Sequence, residues 1–213
     1  VALLFTTLTT SVSYTFTTAY AEEAGASTQQ SAQSGVSWPE APEISAGNGI
    51  LIDADTGAIL YEKNAYTKCY PASTTKILTG LLTVENCSMD ETVTFSRAAA
   101  NSVTWEDSNL ATKDSGQYTV EQALYGLLLY SANEIAYGLA EHVGGSLENF
   151  VEMMNARARE LGAVNTHFAN ASGLYDPNHY TTAYDMAMIA RGCYNNSTFV
   201  NIDSTEDTSD LQI

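Results

Sequence analysis

The sequence predicts an α/β protein of the α+β kind, in which an N-terminal hairpin of an antiparallel sheet precedes a helical subdomain. Three observations carry this expectation. Two short apolar runs flank Asp53-Ala54-Asp55-Thr56-Gly57, the composition of a tight turn between strands. Apolar residues then recur at helical spacing in about five stretches between Pro71 and Tyr194. With 213 residues and no internal repeat, the chain is long enough for one core and at most two subdomains.

The N-terminal stretch reads differently from the rest. Val1 to Ala21 carries no charge and ends Ala19-Tyr20-Ala21 before Glu22-Glu23, an A-x-A cleavage pattern. Residues 1–21 are therefore expected to be a signal peptide. Residues 22–45, rich in Ser, Gln, Ala, Glu and Pro, offer almost nothing to bury and are expected to be a disordered linker. The folded part is placed at 46–213, with its helical subdomain at about 96–195, and the protein is expected to be exported, to the cell wall or the outer face of the cytoplasmic membrane.

Within the folded part, Gly49 to Glu62 is expected to form the hairpin, with Gly57 at a positive φ. Pro71 to Asn86 is expected to open a helix, because proline fits a first turn where its missing N–H is not needed. Thr119 and Gln122 have capping-box spacing ahead of a helix to about Tyr130. After a break at Ser131, Ile135 to Val143 resumes the period until Gly144-Gly145. Leu147 to Leu161 makes another amphipathic helix, closed by Gly162, and Thr182 caps a last one from Ala183 to Tyr194. Two strands cover too little apolar area to stand alone. The chain is accordingly read as stopping before its sheet is complete, with an apolar edge left open.

Charge excludes whole classes of partner. Eight Lys plus Arg face twenty-five Asp plus Glu, a formal charge of −17, so no basic stripe exists for a phosphate backbone and nucleic acid is excluded as a partner. An anionic membrane surface is disfavoured for the same reason. Cys69, Cys87 and Cys193 are far apart, with no C-x-x-C pair and no His at ligand spacing, so no metal or cofactor is expected and the thiols are read as small hydrophobes. His142, His167 and His179 are read as structural, and Tyr125, Tyr130 and Tyr137 as helix-packing residues.

Chemistry concentrates in two short motifs. Ser73-Thr74-Thr75-Lys76 sets a hydroxyl and an amine three residues apart at a helix start, so that both project from one face. A lysine whose pKa is depressed by low dielectric and the helix N-terminus can take the proton of such a serine. Ser131-Ala132-Asn133, at the junction of two apolar helices, offers a second hydroxyl and an amide. Each motif alone is common; their combination and order are not.

Further segments fall in the same order: Ile52-Asp53-Ala54-Asp55-Thr56-Gly57, Asn165-Thr166-His167-Phe168, Ser172-Gly173-Leu174 and Tyr180-Thr181-Thr182-Ala183-Tyr184-Asp185. Together with the two motifs, and from about Gly47 to Thr205, the chain resembles the serine-type D-alanyl-D-alanine carboxypeptidases, low-molecular-mass penicillin-binding proteins of the β-lactamase-like fold. The resemblance implies that Ser73 is the nucleophile, Lys76 its base and Ser131 a proton relay to the leaving amine, with Asn133 binding the substrate amide and holding Lys76. It implies a peptidoglycan stem peptide as substrate, β-lactams as inhibitors, no cofactor, and contact with a membrane only through a C-terminal anchor not present in these residues. The family's third motif, a Lys-Thr-Gly strand, does not occur, because Lys113 precedes Asp114 and Ser115. The chain is thus expected to be a weak or inactive enzyme as it stands, cut short at its C-terminus. Alternatives are a D,D-endopeptidase, a catalytically dead binding fragment, and a class A β-lactamase; the last is disfavoured because no Leu-Asn dipeptide exists for an E-x-x-L-N motif.

Overall fold

The computed structural model describes residues 40–104 and 106–206; the expected signal peptide and most of the expected linker lie outside them. Strand β1 (Gly49–Ile52) pairs antiparallel with β2 (Ile59–Lys63), Gly49 opposite Lys63 and Leu51 opposite Tyr61, with an irregularity between Leu51 and Ile52. The turn follows from its residues. Asp53 Oδ1 accepts from the Thr56 amide at 2.7 Å and the Thr56 hydroxyl at 2.6 Å, and Gly57 closes the turn at φ 77°, as its position predicts. The Ile44 carbonyl accepts from Lys63 Nζ at 2.8 Å, so the end of the expected linker is bonded to β2.

The chain then passes through a 3₁₀ turn (Ala72–Thr75), α1 (Lys76–Asn86), β3 (Thr92–Thr94), α2 (Arg97–Ala100), β4 (Gln117–Thr119), α3 (Val120–Leu128), α4 (Asn133–Gly144), α5 (Leu147–Glu160), α6 (Ala183–Tyr194) and α7 (Ser197–Asp203). Helix α1 is the axis of the core, packed against α3, α4, α5, α6 and α7. Its Leu78 and Leu81 are fully buried, each contributing about 1.5–3 kcal/mol.

Local signals are realised as bonds. Thr119 Oγ1 accepts from the Gln122 amide at 3.1 Å while Gln122 Oε1 accepts from the Thr119 amide at 2.9 Å, the capping box in full. Helix α4 stops on Gly145 at φ 72°, α5 runs out at Gly162 with φ 91°, and Thr182 caps α6 through the Asp185 amide. The end of α3 falls two residues short of the expected Tyr130. There the Ala132 amide donates to the Gly126 carbonyl at 3.1 Å and Ser131 takes φ 56°, which pulls the chain off the helix axis. Tyr125 and Tyr137 pack against the core, whereas Tyr130 is 48% exposed.

The sequence pattern did not announce β3, β4, α2 or α7, which are too short to show a period. Strands β3 and β4 pair antiparallel with Val93 buried between two exposed threonines. Helix α7 buries Phe199 and Ile202. The three thiols are free, Cys193 buried as expected and Cys69 and Cys87 half-buried. Arg191 of α6 donates from Nε to the Ala54 carbonyl and from Nη2 to the Asp55 carbonyl, both at 2.7 Å, fastening the hairpin turn to the helices. Between β1 and α6, Ile50, Ile52, Met186, Ala190 and Tyr194 line an open apolar groove of about 730 Å³, and Leu51 and Leu60 remain more than half exposed.

Candidate active site

The turn that carries Ser73 begins with a bend. Ala72 has φ 49°, a left-handed value uncommon for a residue with a side chain, and it directs the chain into the turn that carries Ser73 and Lys76. Gly173, at φ 86°, makes room for it, since a Cβ at that position would fall on the Ala72 carbonyl oxygen. Ser73 opens onto a cleft of about 290 Å³ lined also by Tyr70, Asn133, Leu174, Tyr175, Asp176 and His179.

Below Ser73, Lys76 is 2% exposed. Its Nζ lies 3.3 Å from Ser73 Oγ, 2.6 Å from Asn133 Oδ1 and 2.7 Å from the Ser172 carbonyl oxygen. Burial pushes its pKa down to about 8, and the Glu134 carboxylate pushes the other way. A neutral amine has two N–H bonds and one lone pair. Asn133 Oδ1 and the Ser172 carbonyl can only accept, so they take the two N–H bonds and leave the lone pair for the Ser73 hydroxyl proton. This arrangement lets a neutral Lys76 act as general base, taking the Ser73 proton as the oxygen attacks.

Asn133 and Glu134 also hold the 108–112 segment. The Asn133 amide donates to the Ser108 carbonyl at 2.8 Å, and Glu134 Oε1 accepts from the Leu110 amide at 2.6 Å and from Thr112 Oγ1 at 3.2 Å. The opposite wall is the 165–182 segment. Thr79 Oγ1 donates to the Ala171 carbonyl at 2.7 Å, and His179 Nε2 lies 2.8 Å from Thr75 Oγ1. His179 Nδ1 accepts from the Ala169 amide at 3.2 Å, which leaves the ring proton on Nε2 and makes Thr75 Oγ1 the acceptor. Burial holds this imidazole neutral, with its pKa down to about 4. Asp185, fully buried, accepts from the Asn165 amide at 2.6 Å and Thr166 Oγ1 at 2.7 Å, joining the two ends of the wall.

Of the four residues singled out in the sequence, Ser73, Lys76 and Asn133 are thus joined by hydrogen bonds. Ser131 stands outside that bonded set, two residues before Asn133 and half-buried in the left-handed turn. Sequence reasoning missed the Ser172 carbonyl, Glu134 and the Thr75–His179 pair. Gly173, next to Ser172, was the available signal that two backbones meet here.

A family profile described as D-alanyl-D-alanine carboxypeptidase, peptidase S11, matches residues 35–209. The chain belongs to the peptidase S11 family. D-alanyl-D-alanine carboxypeptidase DacF of Bacillus subtilis (strain 168) is 39% identical over 151 residues, 68% of this chain and 38% of that protein. DacD of Escherichia coli (strain K12) is 35% identical over 161 residues, 72% and 42% of the two chains. The chain therefore spans well under half the length of these two S11 relatives. Among solved S11 structures, the DacD carboxypeptidase from Francisella tularensis superposes with a TM-score of 0.72 at 34% identity, covering 81% of this chain and 43% of its own. The D-alanyl-D-alanine carboxypeptidase from Mycobacterium tuberculosis H37Rv gives 0.71 at 33% identity, covering 77% and 61%. The expected α/β, penicillin-binding-protein-like fold class is correct, with S11 helices around α1 and small antiparallel sheets.

Proposed function

We propose that this chain carries the acylating centre of a serine-type D-alanyl-D-alanine carboxypeptidase. Ser73 Oγ attacks the carbonyl carbon between the two terminal D-alanines of a peptidoglycan stem peptide, and Lys76 Nζ takes its proton. The tetrahedral oxyanion is met by the Ser73 amide, one of the first-turn N–H groups that have no partner inside their own helix. Collapse breaks the C–N bond, and the amine leaves as free D-alanine after receiving a proton from Lys76 through the Ser131 hydroxyl. A water, deprotonated by the same lysine, then cleaves the Ser73 ester and releases the shortened peptide. Asn133 keeps Lys76 in place with Oδ1 and has its Nδ2 left for a substrate carbonyl.

The observation that carries this reading is the disposition of Lys76 Nζ, with two neighbours that can only accept and its third direction toward Ser73 Oγ. A β-lactam is attacked by the same serine, because its amide carbonyl stands in for that of the dipeptide, so these antibiotics are the proposed inhibitors. The charge-free N-terminal stretch ending Ala19-Tyr20-Ala21 supports export, and a peptidoglycan substrate fits the outer side of the cytoplasmic membrane. The direct test is incubation with a fluorescent penicillin followed by mass spectrometry of a peptic digest. The adduct is expected on the peptide containing Ser73 and absent from Ser73→Ala; an adduct on another serine, or labelling that survives that substitution, overturns the assignment.

A further inference from the structure

Away from the cleft, three residues of metal-ligating type converge: Cys87, Glu91 and His142, with the thiol sulfur, a carboxylate oxygen and an imidazole nitrogen all within 4.8 Å of one another. We propose that these three side chains form a binding site for a zinc-type divalent ion that cross-links the far ends of α1 and α4. Cys87 is the C-cap residue of α1, its amide bonded to the Thr83 carbonyl at 3.0 Å. Glu91 stands one residue before β3, its backbone pinned by the Val120 amide on its carbonyl at 2.9 Å. His142 lies in the last turn of α4.

The carboxylate is already oriented. Glu91 Oε1 accepts from the Ser88 amide at 2.7 Å, which turns Oε2 toward His142 Nε2, 3.3 Å away. Around a tetrahedral zinc, with bonds of about 2.0–2.3 Å, neighbouring ligand atoms sit roughly 3.3–3.7 Å apart, so the trio needs only side-chain rotation to close on an ion. A thiolate with an imidazole selects a zinc-type ion over calcium or magnesium, which prefer all-oxygen shells. Binding releases the Cys87 thiol proton to solvent, and the thiolate and carboxylate then neutralise the two positive charges, with water completing the fourth position. Glu91 is exposed, so the ion reaches the site from bulk solvent.

The consequence for the fold is specific. Lys76 begins α1 and Asn133 begins α4, so the ion would join the ends of these helices opposite to those that meet at the Lys76–Asn133 bond.

The test uses the 213-residue chain freed of metal with a chelator, titrated with zinc by calorimetry and with cobalt(II) by absorption. One equivalent is expected to bind, with a thiolate-to-cobalt charge-transfer band and a rise in melting temperature. Cys87→Ser is expected to remove the band. His142→Gln and Glu91→Gln should each weaken zinc by at least about tenfold, the lower cost of losing even an outer partner of a zinc ligand, while the metal-free melting temperature stays near that of the parent. Cys69→Ser, outside the trio, should keep the band. Absence of stoichiometric binding, a band that survives Cys87→Ser or vanishes in Cys69→Ser, or zinc affinity unchanged in His142→Gln overturns the proposal and leaves a His142–Glu91 contact beside an uninvolved thiol.

Discussion

The Nε2–H of His179 donates to Oγ1 of Thr75 across 2.8 Å, tying a residue of the cleft wall to the residue immediately before Lys76 although 104 positions separate them. The companion bond, from the Ala169 amide to His179 Nδ1 at 3.2 Å, requires a neutral ring, and burial holds the His179 pKa down to about 4 from its usual 6.5. Between those values the unfolded chain binds more protons than the folded one, so the contribution is full above pH 6.5 and is lost as pH falls toward 4. Melting temperature is expected to drop through that window, and to drop less steeply in His179→Gln. Equal slopes for the two proteins would assign the acid sensitivity to other groups.

Lys76 is depressed to about 8 by burial, so the unfolded chain binds more protons between pH 8 and 10.5 and the lysine's share of stability rises with pH there. A ¹⁵N titration of the four lysine Nζ groups should find one midpoint near 8. Because the Glu134 carboxylate raises that value, Glu134→Gln, which keeps an acceptor for the Leu110 amide, should move the midpoint lower still. A Lys76 midpoint at the ordinary 10.5 would contradict the burial seen here.

Gly173 and Gly145 both have positive φ, 86° and 72°, yet a Cβ on Gly145 would meet nothing within 4 Å whereas one on Gly173 would strike the Ala72 carbonyl. Gly145→Ala is expected to cost about 1–2 kcal/mol, the backbone term alone. Gly173→Ala should cost more in urea unfolding and should abolish penicillin labelling by displacing the Ser73 turn. If the two variants unfold at the same urea concentration, the close approach carries no energetic weight.

Lys76→Arg retains the positive charge and removes the base, since a guanidinium does not deprotonate in this pH range. Acylation by penicillin should be lost while the far-ultraviolet circular dichroism spectrum is unchanged. Near-normal labelling would show that the Ser73 proton leaves by another route.

What could be read from the sequence is what is local. The Thr119–Gln122 box, the Asp53–Gly57 turn and the Thr182 cap are bonds between residues three or four apart, and each left a pattern in the chain. Ser73 and Lys76 were visible for the same reason. The Ser172 carbonyl was not, because a backbone acceptor has no residue signature and stands 96 positions from the amine it binds. Glu134 looked like one acid among many until Leu110 and Thr112 folded onto it. Cys87 and Glu91 lie four residues apart, but His142 is 51 positions from Glu91 and reaches it only because α4 packs beside β3.

The position of α1 at the axis of the core bears on how this scaffold could be redesigned. A helix packed against five others has little freedom to tilt or slide, so Lys76 at its start is held in register with all of them. Libraries aimed at a new acyl group should therefore spare α1 and its neighbours and vary the rim at Leu174, Tyr175 and Asp176, where changed shape and charge reach the cleft without disturbing the alignment beneath it.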